Sequence, residues 1–260
     1  LIDGLDILPP GDLRRCLLAL SSEPTLLGEL FDYRFGGSDV DGHSLGNLIL
    51  AAMADIFGDF HTGLQIAGEA LGALGTVLPV SLQALILEAE IDGQNVVGQA
   101  LISRTRGTVQ SIAVKPDDVA LNPPVLDAIA EADQIIVGPG SLFTSLIAAL
   151  IVPGLAEALN RSDAQLVYVA NLITQDGETM SMSLVDHIHA LMSFTGLKPD
   201  FLALVNTRDI DVPPPFQVLR PSADMPVSFV EAELKDDDFD WPQHDPMLLG
   251  QALSEIWEGR

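Results

Sequence analysis

The chain has 260 residues, 48% of them hydrophobic, which is enough to bury one large core or two small ones. Its 37 acidic residues outnumber 12 basic ones, and the formal net charge of −25 argues against binding to nucleic acid or to an anionic membrane. No apolar run reaches the roughly 18 residues that a membrane span requires, and no basic and apolar leader opens the chain, so a secretion signal is not expected.

The first third of the chain predicts helices. Pro9-Pro10-Gly11-Asp12 precedes a helix over residues 13–20, with Asp12 placed to cap it. Further helices are predicted over residues 26–33, 44–57 and 61–74 from the spacing of their apolar residues.

Cys16 is the only cysteine, so an internal disulfide is impossible, and a reducing cytoplasm is the expected location. Its helical spacing from Leu13, Leu17 and Leu20 predicts that it packs on an apolar face.

The middle of the chain predicts strands. Residues 84–91 alternate between apolar and polar, Asp92-Gly93 forms a turn, and residues 96–102 return as a hairpin partner. Residues 108–114 predict another strand. From there strands and helices alternate: strands are predicted over 134–137, 166–170, 201–205 and 227–230, and helices over 124–132, 142–158 (broken at Pro153-Gly154), 183–194 and 246–257.

This alternation predicts an α/β fold, Rossmann-like, with a mainly parallel sheet and helices on both faces. We expect a single domain over residues 1–260, with a helical subregion over 11–74 and a hairpin subregion over 84–115.

The segment after the strand at 134–137 is the most informative. Gly138-Pro139-Gly140-Ser141 forms a glycine turn, and Thr144 and Ser145 follow as a helix begins. Backbone N–H groups and the positive end of a helix dipole bind anions, so this turn predicts a phosphate site. It lacks the lysine of a P-loop and the third glycine of G-x-G-x-x-G. The alternative is a tight turn without a ligand.

Two further polar loops follow predicted strands, at the sheet edge where open α/β folds bind ligands. Asn171 opens the first, which also carries Thr174, Gln175 and Gly177, and Asn206-Thr207-Arg208 form the second. Ligand contact and an ordinary polar turn are both open for the first loop.

Gly42-His43-Ser44-Leu45-Gly46 matches the G-x-S-x-G elbow of serine hydrolases. The elbow needs an apolar strand before it, but the residues over 34–41 are polar and rich in glycine. We therefore favour a polar loop that feeds a helix, with Ser44 near the cap and with His43 and Asn47 facing a ligand. Capping alone is the alternative.

No metal site is predicted. His187 and His189 are two residues apart, so on a helix they point in different directions, and no zinc spacing occurs. The acidic stretch over 231–240 is typical of a solvated loop. Arg14 is either a phosphate ligand or an ordinary surface arginine.

Four motifs in order, together with His244-Asp245-Pro246, resemble the gluconeogenesis factors, a bacterial branch of the 2-phospho-L-lactate transferase (CofD)-like superfamily. The motifs are residues 7–14 (I-L-P-P-G-D-L-R), 42–47 (G-H-S-L-G-N), 138–145 (G-P-G-S-L-F-T-S) and 171–179 (N-L-I-T-Q-D-G-E-T).

The resemblance implies a Rossmann-like, cytoplasmic protein that binds a nucleotide, with UDP-sugars expected, and that acts in the control of carbon metabolism and cell shape. The transferase branch instead moves a phospholactyl group from a guanosine diphosphate donor onto the deazaflavin Fo. Two departures matter: the family's G-G-G-T-G and D-D-G-G segments are absent from this sequence, and the transferase branch tends to have G-P-S-N-P where Gly138-Pro139-Gly140-Ser141-Leu142 stands here.

The leading hypothesis is a regulatory protein that binds a nucleotide-sugar. Its predicted ligand contacts are Gly138, Pro139, Gly140, Ser141, Thr144, Ser145, Asn171, Thr174, Gln175, Gly177, His43, Asn47, Asp12 and Arg14. The alternatives are a transferase that uses the same pocket with Mg²⁺, and a serine hydrolase built on Ser44. A homo-oligomer is expected from the apolar content.

Overall fold

A computed structural model describes residues 10–21, 25–37 and 41–259. These residues divide into two units, one drawn from Leu1–Ala84 with Ala120–Val125, and the other from Leu85–Val119 with Leu126–Arg260. No helix in the described ranges has the length and apolarity to cross a membrane.

The first unit is helical. Its described helices are α1 (Gly11–Leu20), α2 (Leu26–Asp32), α3 (Leu45–Phe57) and α4 (Phe60–Ala70). Three of them, α2, α3 and α4, follow an N-cap residue whose side chain accepts a hydrogen bond from a backbone N–H of the first turn. These N-cap residues are Thr25, Ser44 and Asp59. The core of this unit is apolar and fully buried: Leu17, Phe31, Leu50, Leu64 and Leu71.

The prediction for α1 was wrong in two respects. Pro10 precedes the helix and Asp12 lies inside its first turn, where it pairs with Arg15 and does not act as the cap. Cys16 is exposed and lies outside the apolar core. The buried face of α1 contains Arg14 and Leu17, so Cys16, 200° around the helix from Arg14, faces away from it.

The second unit begins with an antiparallel sheet in the order β2-β1-β3, formed by β1 (Ile86–Ile91), β2 (Gln94–Val97) and β3 (Val109–Lys115). Leu87, Ala89 and Ile91 are buried, as the alternation predicts. The predicted hairpin partner over 96–102 is too long at its end. Gly98, at φ 100°, ends the strand, and α5 (Gln99–Ile102) follows as a single helical turn.

A parallel sheet in the order β4-β5-β6-β7 completes the unit, which confirms the α/β class. Its strands are β4 (Gln134–Val137), β5 (Gln165–Val169), β6 (Leu202–Asn206) and β7 (Ser228–Ala232), and α6 (Pro123–Glu131) leads into the first of them. Val167 and Val169 pack with α10 (Pro246–Glu258) on one face, while Tyr168 on the other face is 1% exposed. Both faces of the central strand are therefore covered.

The helical segment between β4 and β5 is more broken than predicted, whereas the helix between β5 and β6 has its predicted length. The segment over 142–158 contains a π-helical stretch (Leu142–Ile147), α7 (Ala148–Leu150) and α8 (Leu155–Leu159), and α8 starts after Gly154 at φ 91°. Between β5 and β6 lies α9 (Leu184–Thr195), which Ser183 and Asp186 cap reciprocally.

Candidate functional site

The glycine turn that follows β4 lies against the end of β5. Gly138 has φ 94°, and a Cβ there would lie 3.0 Å from the carbonyl oxygen of Val169. A side chain at this position would be strained in its backbone and crowded by its neighbour, so glycine lets the turn approach the sheet edge closely.

Two side chains from the loop after β5 hold this turn. The Nδ2 atom of Asn171 donates to the Gly140 carbonyl oxygen at 2.9 Å, and the Nε2 atom of Gln175 donates to Ser141 Oγ at 3.4 Å. The structure therefore brings together the predicted segments 138–141 and 171–175. Because the C=O and N–H of a trans peptide point in opposite directions, the N–H of Ser141 points away from Asn171.

Several backbone donors of the turn are unpaired within the described part of the chain. No described residue accepts a hydrogen bond from the N–H groups of Gly140, Ser141 or Leu142. Pro139 supplies no N–H. Leu142 is 0% exposed, so the donors that the turn presents to a ligand are the N–H groups of the partly exposed Gly140 and Ser141, together with the Ser141 hydroxyl and the exposed Ser145 hydroxyl.

The next two N–H groups are already engaged by a residue that the sequence did not single out. Glu178 is 8% exposed, and its Oε2 atom accepts from Phe143 N at 3.0 Å and from Thr144 N at 3.4 Å. Its Oε1 atom accepts from the Thr144 hydroxyl at 2.5 Å. The prediction gives the Thr144 hydroxyl to a phosphate, but in the structure this hydroxyl donates to the Glu178 carboxylate.

The remainder of the loop after β5 is held by the protein itself. Thr174 is 1% exposed, and its hydroxyl accepts from Gln217 N at 3.0 Å. Gly177 has φ 81°, and a Cβ there would lie 2.2 Å from the Ser103 carbonyl oxygen. Thr174 and Gly177 therefore shape the loop, whereas Asn171 and Gln175 reach the turn.

The third predicted loop is a structural element. Asn206 is 3% exposed, donates to the Arg208 carbonyl oxygen at 2.9 Å and accepts from Leu234 N at 3.0 Å. Arg208 pairs with Asp237 within the acidic stretch. In the last motif His244 Nε2 lies 3.2 Å from the Ala170 carbonyl oxygen, and Asp245 caps α10.

Arg14 and Ser44 belong to the first unit, where the protein uses both as structural groups. Arg14 is 2% exposed and donates to the Phe31 carbonyl oxygen at 2.9 Å and to Asp32 at 2.8 Å, so the expectation of a surface arginine was wrong. Ser44 is 2% exposed; it donates to the same carbonyl oxygen at 3.2 Å and caps α3. A buried, capping hydroxyl, with no strand over the described residues 34–37 and 41–43 before it, contradicts the nucleophile elbow.

Two other predicted contacts, His43 and Asn47, also lie in the first unit. The His43 ring lies 3.3 Å from the Asp41 carbonyl oxygen. Asn47 Oδ1 is buried without a partner among the described residues, while its backbone N–H donates to the Ser44 cap. Ligand contact by either residue stays a prediction.

The described part of the chain contains no cluster of three or more His, Cys, Asp or Glu side chains able to hold a metal ion. His187 is fully buried in α9, and burial lowers its pKa to about 4 despite the neighbouring Asp186. Its ring is therefore neutral at pH 7. His189 is exposed on the same helix.

Comparison with known proteins places these motifs in context. The sequence model of the family described as 2-phospho-L-lactate transferase CofD matches residues 1–233. A gluconeogenesis factor from Bacillus subtilis (strain 168) is 40% identical over 236 residues, which are 89% of this chain and 73% of that protein. One from Halalkalibacterium halodurans is 43% identical over 195 residues, 74% of this chain and 61% of that protein.

The similarity extends to solved structures. A crystal structure of a UPF0052-family protein from Bacillus halodurans matches with a TM-score of 0.89 and 34% identity, over 95% of this chain and 84% of that one. The chain spans less than two thirds of the H. halodurans relative, and 44% of a relative from Nostoc sp..

Proposed function

The chain belongs to the 2-phospho-L-lactate transferase CofD family, and on this basis we propose that it binds a nucleotide-sugar, with UDP-sugars as the ligand class. We propose the role of a regulator of carbon metabolism and cell shape, in keeping with relatives that are named gluconeogenesis factors. The ligand diphosphate would bind at the glycine turn after β4.

The N–H groups of Gly140 and Ser141, which have no partner among the described residues, carry this proposal. Two adjacent backbone donors and the Ser141 hydroxyl at the carboxyl end of a parallel sheet suit a phosphate group. A chain with net charge −25 gives an anion little long-range attraction, so such a ligand needs local donors of this kind.

Gln175 supports a ligand that also carries hydroxyl groups. Its Nε2 atom bonds Ser141 Oγ, whereas its Oε1 atom is buried and has no partner among the described residues. A buried amide oxygen without a donor costs free energy, and a sugar hydroxyl is a suitable donor. Gln175 is thus the side chain that we assign to the sugar portion.

Titration calorimetry of the full-length protein with UDP-glucose, UDP, uridine and GDP tests this function. We expect UDP-glucose to bind more tightly than uridine, and Gln175→Ala to weaken it by about tenfold, equivalent to one lost hydrogen bond with a buried partner. Gln165→Ala is the matched control, because Gln165 lies at the opposite end of β5. The proposal fails if none of the nucleotides binds, or if both variants weaken binding equally.

A phospholactyl-type transferase on the same turn is the second candidate, and the CofD family description favours it. A divalent cation would then bridge donor phosphates to carboxylates. The described carboxylates near the turn do not fit that role. Glu178 is engaged by two N–H groups and a hydroxyl, and Asp176 pairs with Arg106 at 2.8 Å. Binding of GDP in preference to UDP-glucose would favour the transferase.

A further inference from the structure

A buried carboxylate occupies the place where the sequence predicts a bound phosphate. Glu178 comes from the loop after β5, and it accepts the N–H groups of Phe143 and Thr144, the second and third residues of the helical segment Leu142–Leu150. It also accepts the Thr144 hydroxyl. The residue is 8% exposed, so water contributes little to the solvation of its charge.

No described cation pairs with Glu178. A buried carboxylate without a counter-ion is costly unless donors surround it. Here the donors are two backbone N–H groups at the positive end of a helix and one hydroxyl, which together stabilise a negative charge. The carboxylate therefore provides acceptors for the N–H groups at the helix end, and these N–H groups stabilise its negative charge.

The residues next to Glu178 prevent it from moving away. Gly177 lies directly against the Ser103 carbonyl oxygen. Asp176 pairs with both Nε and Nη2 of Arg106, at 2.8 and 3.0 Å. Thr179 is 0% exposed, and its hydroxyl accepts from Gln175 N at 2.9 Å. Glu178 is thus a fixed part of the helix end.

We propose that Glu178 is the resident anion of this helix end and a positioning residue for the ligand. It takes the N–H groups of Phe143 and Thr144 and confines a phosphate to those of Gly140 and Ser141. The first part, that Glu178 occupies the helix end, does not depend on which ligand the protein binds. The second part, that Glu178 confines a phosphate, rests on the proposed function.

Chemical rescue tests the resident anion. Glu178→Ala opens a small space lined by two N–H groups, which formate can fill. We expect 100 mM sodium formate to raise the melting temperature of Glu178→Ala by about 3 °C relative to sodium chloride of equal ionic strength, and to leave the unaltered protein unchanged. Asp245→Ala is the control, because Asp245 caps α10 at an exposed helix end. Equal formate effects on both variants would overturn the assignment.

Glu178→Gln tests the positioning role in a variant that keeps the shape of the side chain. The amide oxygen can still accept both N–H groups, while the charge is lost. We expect the affinity for UDP to rise on the order of threefold, because a like charge near the phosphate is removed, and the affinity for uridine to stay unchanged. A fall in UDP affinity, or parallel changes for UDP and uridine, would refute positioning by charge. If UDP binds no variant, the proposed function fails, and the formate result still decides whether Glu178 is the resident anion.

Discussion

Replacement of His187 by leucine should remove a pH-dependent part of the stability. His187 lies in α9 with 0% exposure, and neither ring nitrogen has a partner among the described residues. Burial lowers its pKa to about 4 from the ordinary value of 6.5, and the nearby Asp186 opposes this shift only in part. The folded protein therefore keeps this ring neutral at pH values where the unfolded chain protonates it.

The sign follows from proton uptake. As pH falls below 6.5, His187 becomes protonated in the unfolded chain, whereas in the folded protein it stays neutral until pH reaches about 4. The stability linked to His187 is complete above pH 6.5 and is lost between pH 6.5 and about 4. A shift of this size corresponds to about 3 kcal/mol over the whole window, of which about 2 kcal/mol falls between pH 7 and pH 4.5.

Urea unfolding at pH 7 and pH 4.5 measures this effect. We expect His187→Leu to lose about 2 kcal/mol less stability than the unaltered protein on going to pH 4.5. At pH 7 the variant loses no hydrogen bond in the described structure, and a swap of similar volume costs below about 1.5 kcal/mol. His189→Leu, on the exposed side of the same helix, should keep the original pH dependence. Identical pH dependence in the unaltered protein and His187→Leu would refute the reasoning.

Three further outcomes are expected. Gly177→Ala should lower the melting temperature far more than Gly196→Ala. Both glycines have positive φ, but only at Gly177 would a Cβ meet a backbone atom, at 2.2 Å from the Ser103 carbonyl oxygen. Equal losses of melting temperature in the two variants would contradict this. Gly46→Ala should cost about 3 kcal/mol or more in urea unfolding, since its Cβ would lie 2.4 Å from a carbonyl oxygen of α2; a loss below about 1 kcal/mol would show that the helices separate easily. Cys16 should react with a maleimide in the folded protein, as measured by intact mass. The reaction should be slow at pH 7, because partial burial and the nearby Asp12 raise the pKa of the thiol. Reaction only in denaturant would show that the residue is covered.

Local patterns predicted most of the secondary structure. Alternation in β1, a Ser or Asp before each of several helices, and short apolar runs between helical segments all signal regular elements within a few residues. The pairing of the turn at Gly138 with the loop at Asn171 was also predictable, because the ends of neighbouring parallel strands meet at one edge.

Contacts between distant residues were not predictable from such patterns. Glu178 reaches Phe143 across 35 residues, and nothing in its local sequence distinguishes a buried carboxylate from a solvated one. Arg14 is similar, since arginine is mostly exposed, and only the Phe31 carbonyl oxygen and Asp32 in α2 explain its burial. The π-helical start at Leu142 also has no signal in residue spacing, because the N–H groups of Phe143 and Thr144 bond to a side chain from another loop.

The strand order has a consequence for how the second unit folds. β1 and β2 pair across a turn at Asp92 and Gly93, whereas β4 and β5 pair only after a connection that runs from Val137 to Gln165. Short chain closures are entropically cheap and fast, and long crossovers are slower. The antiparallel hairpin should therefore form first, and the parallel sheet, together with the glycine turn at its edge, should be among the last parts of this unit to protect its amide hydrogens from exchange.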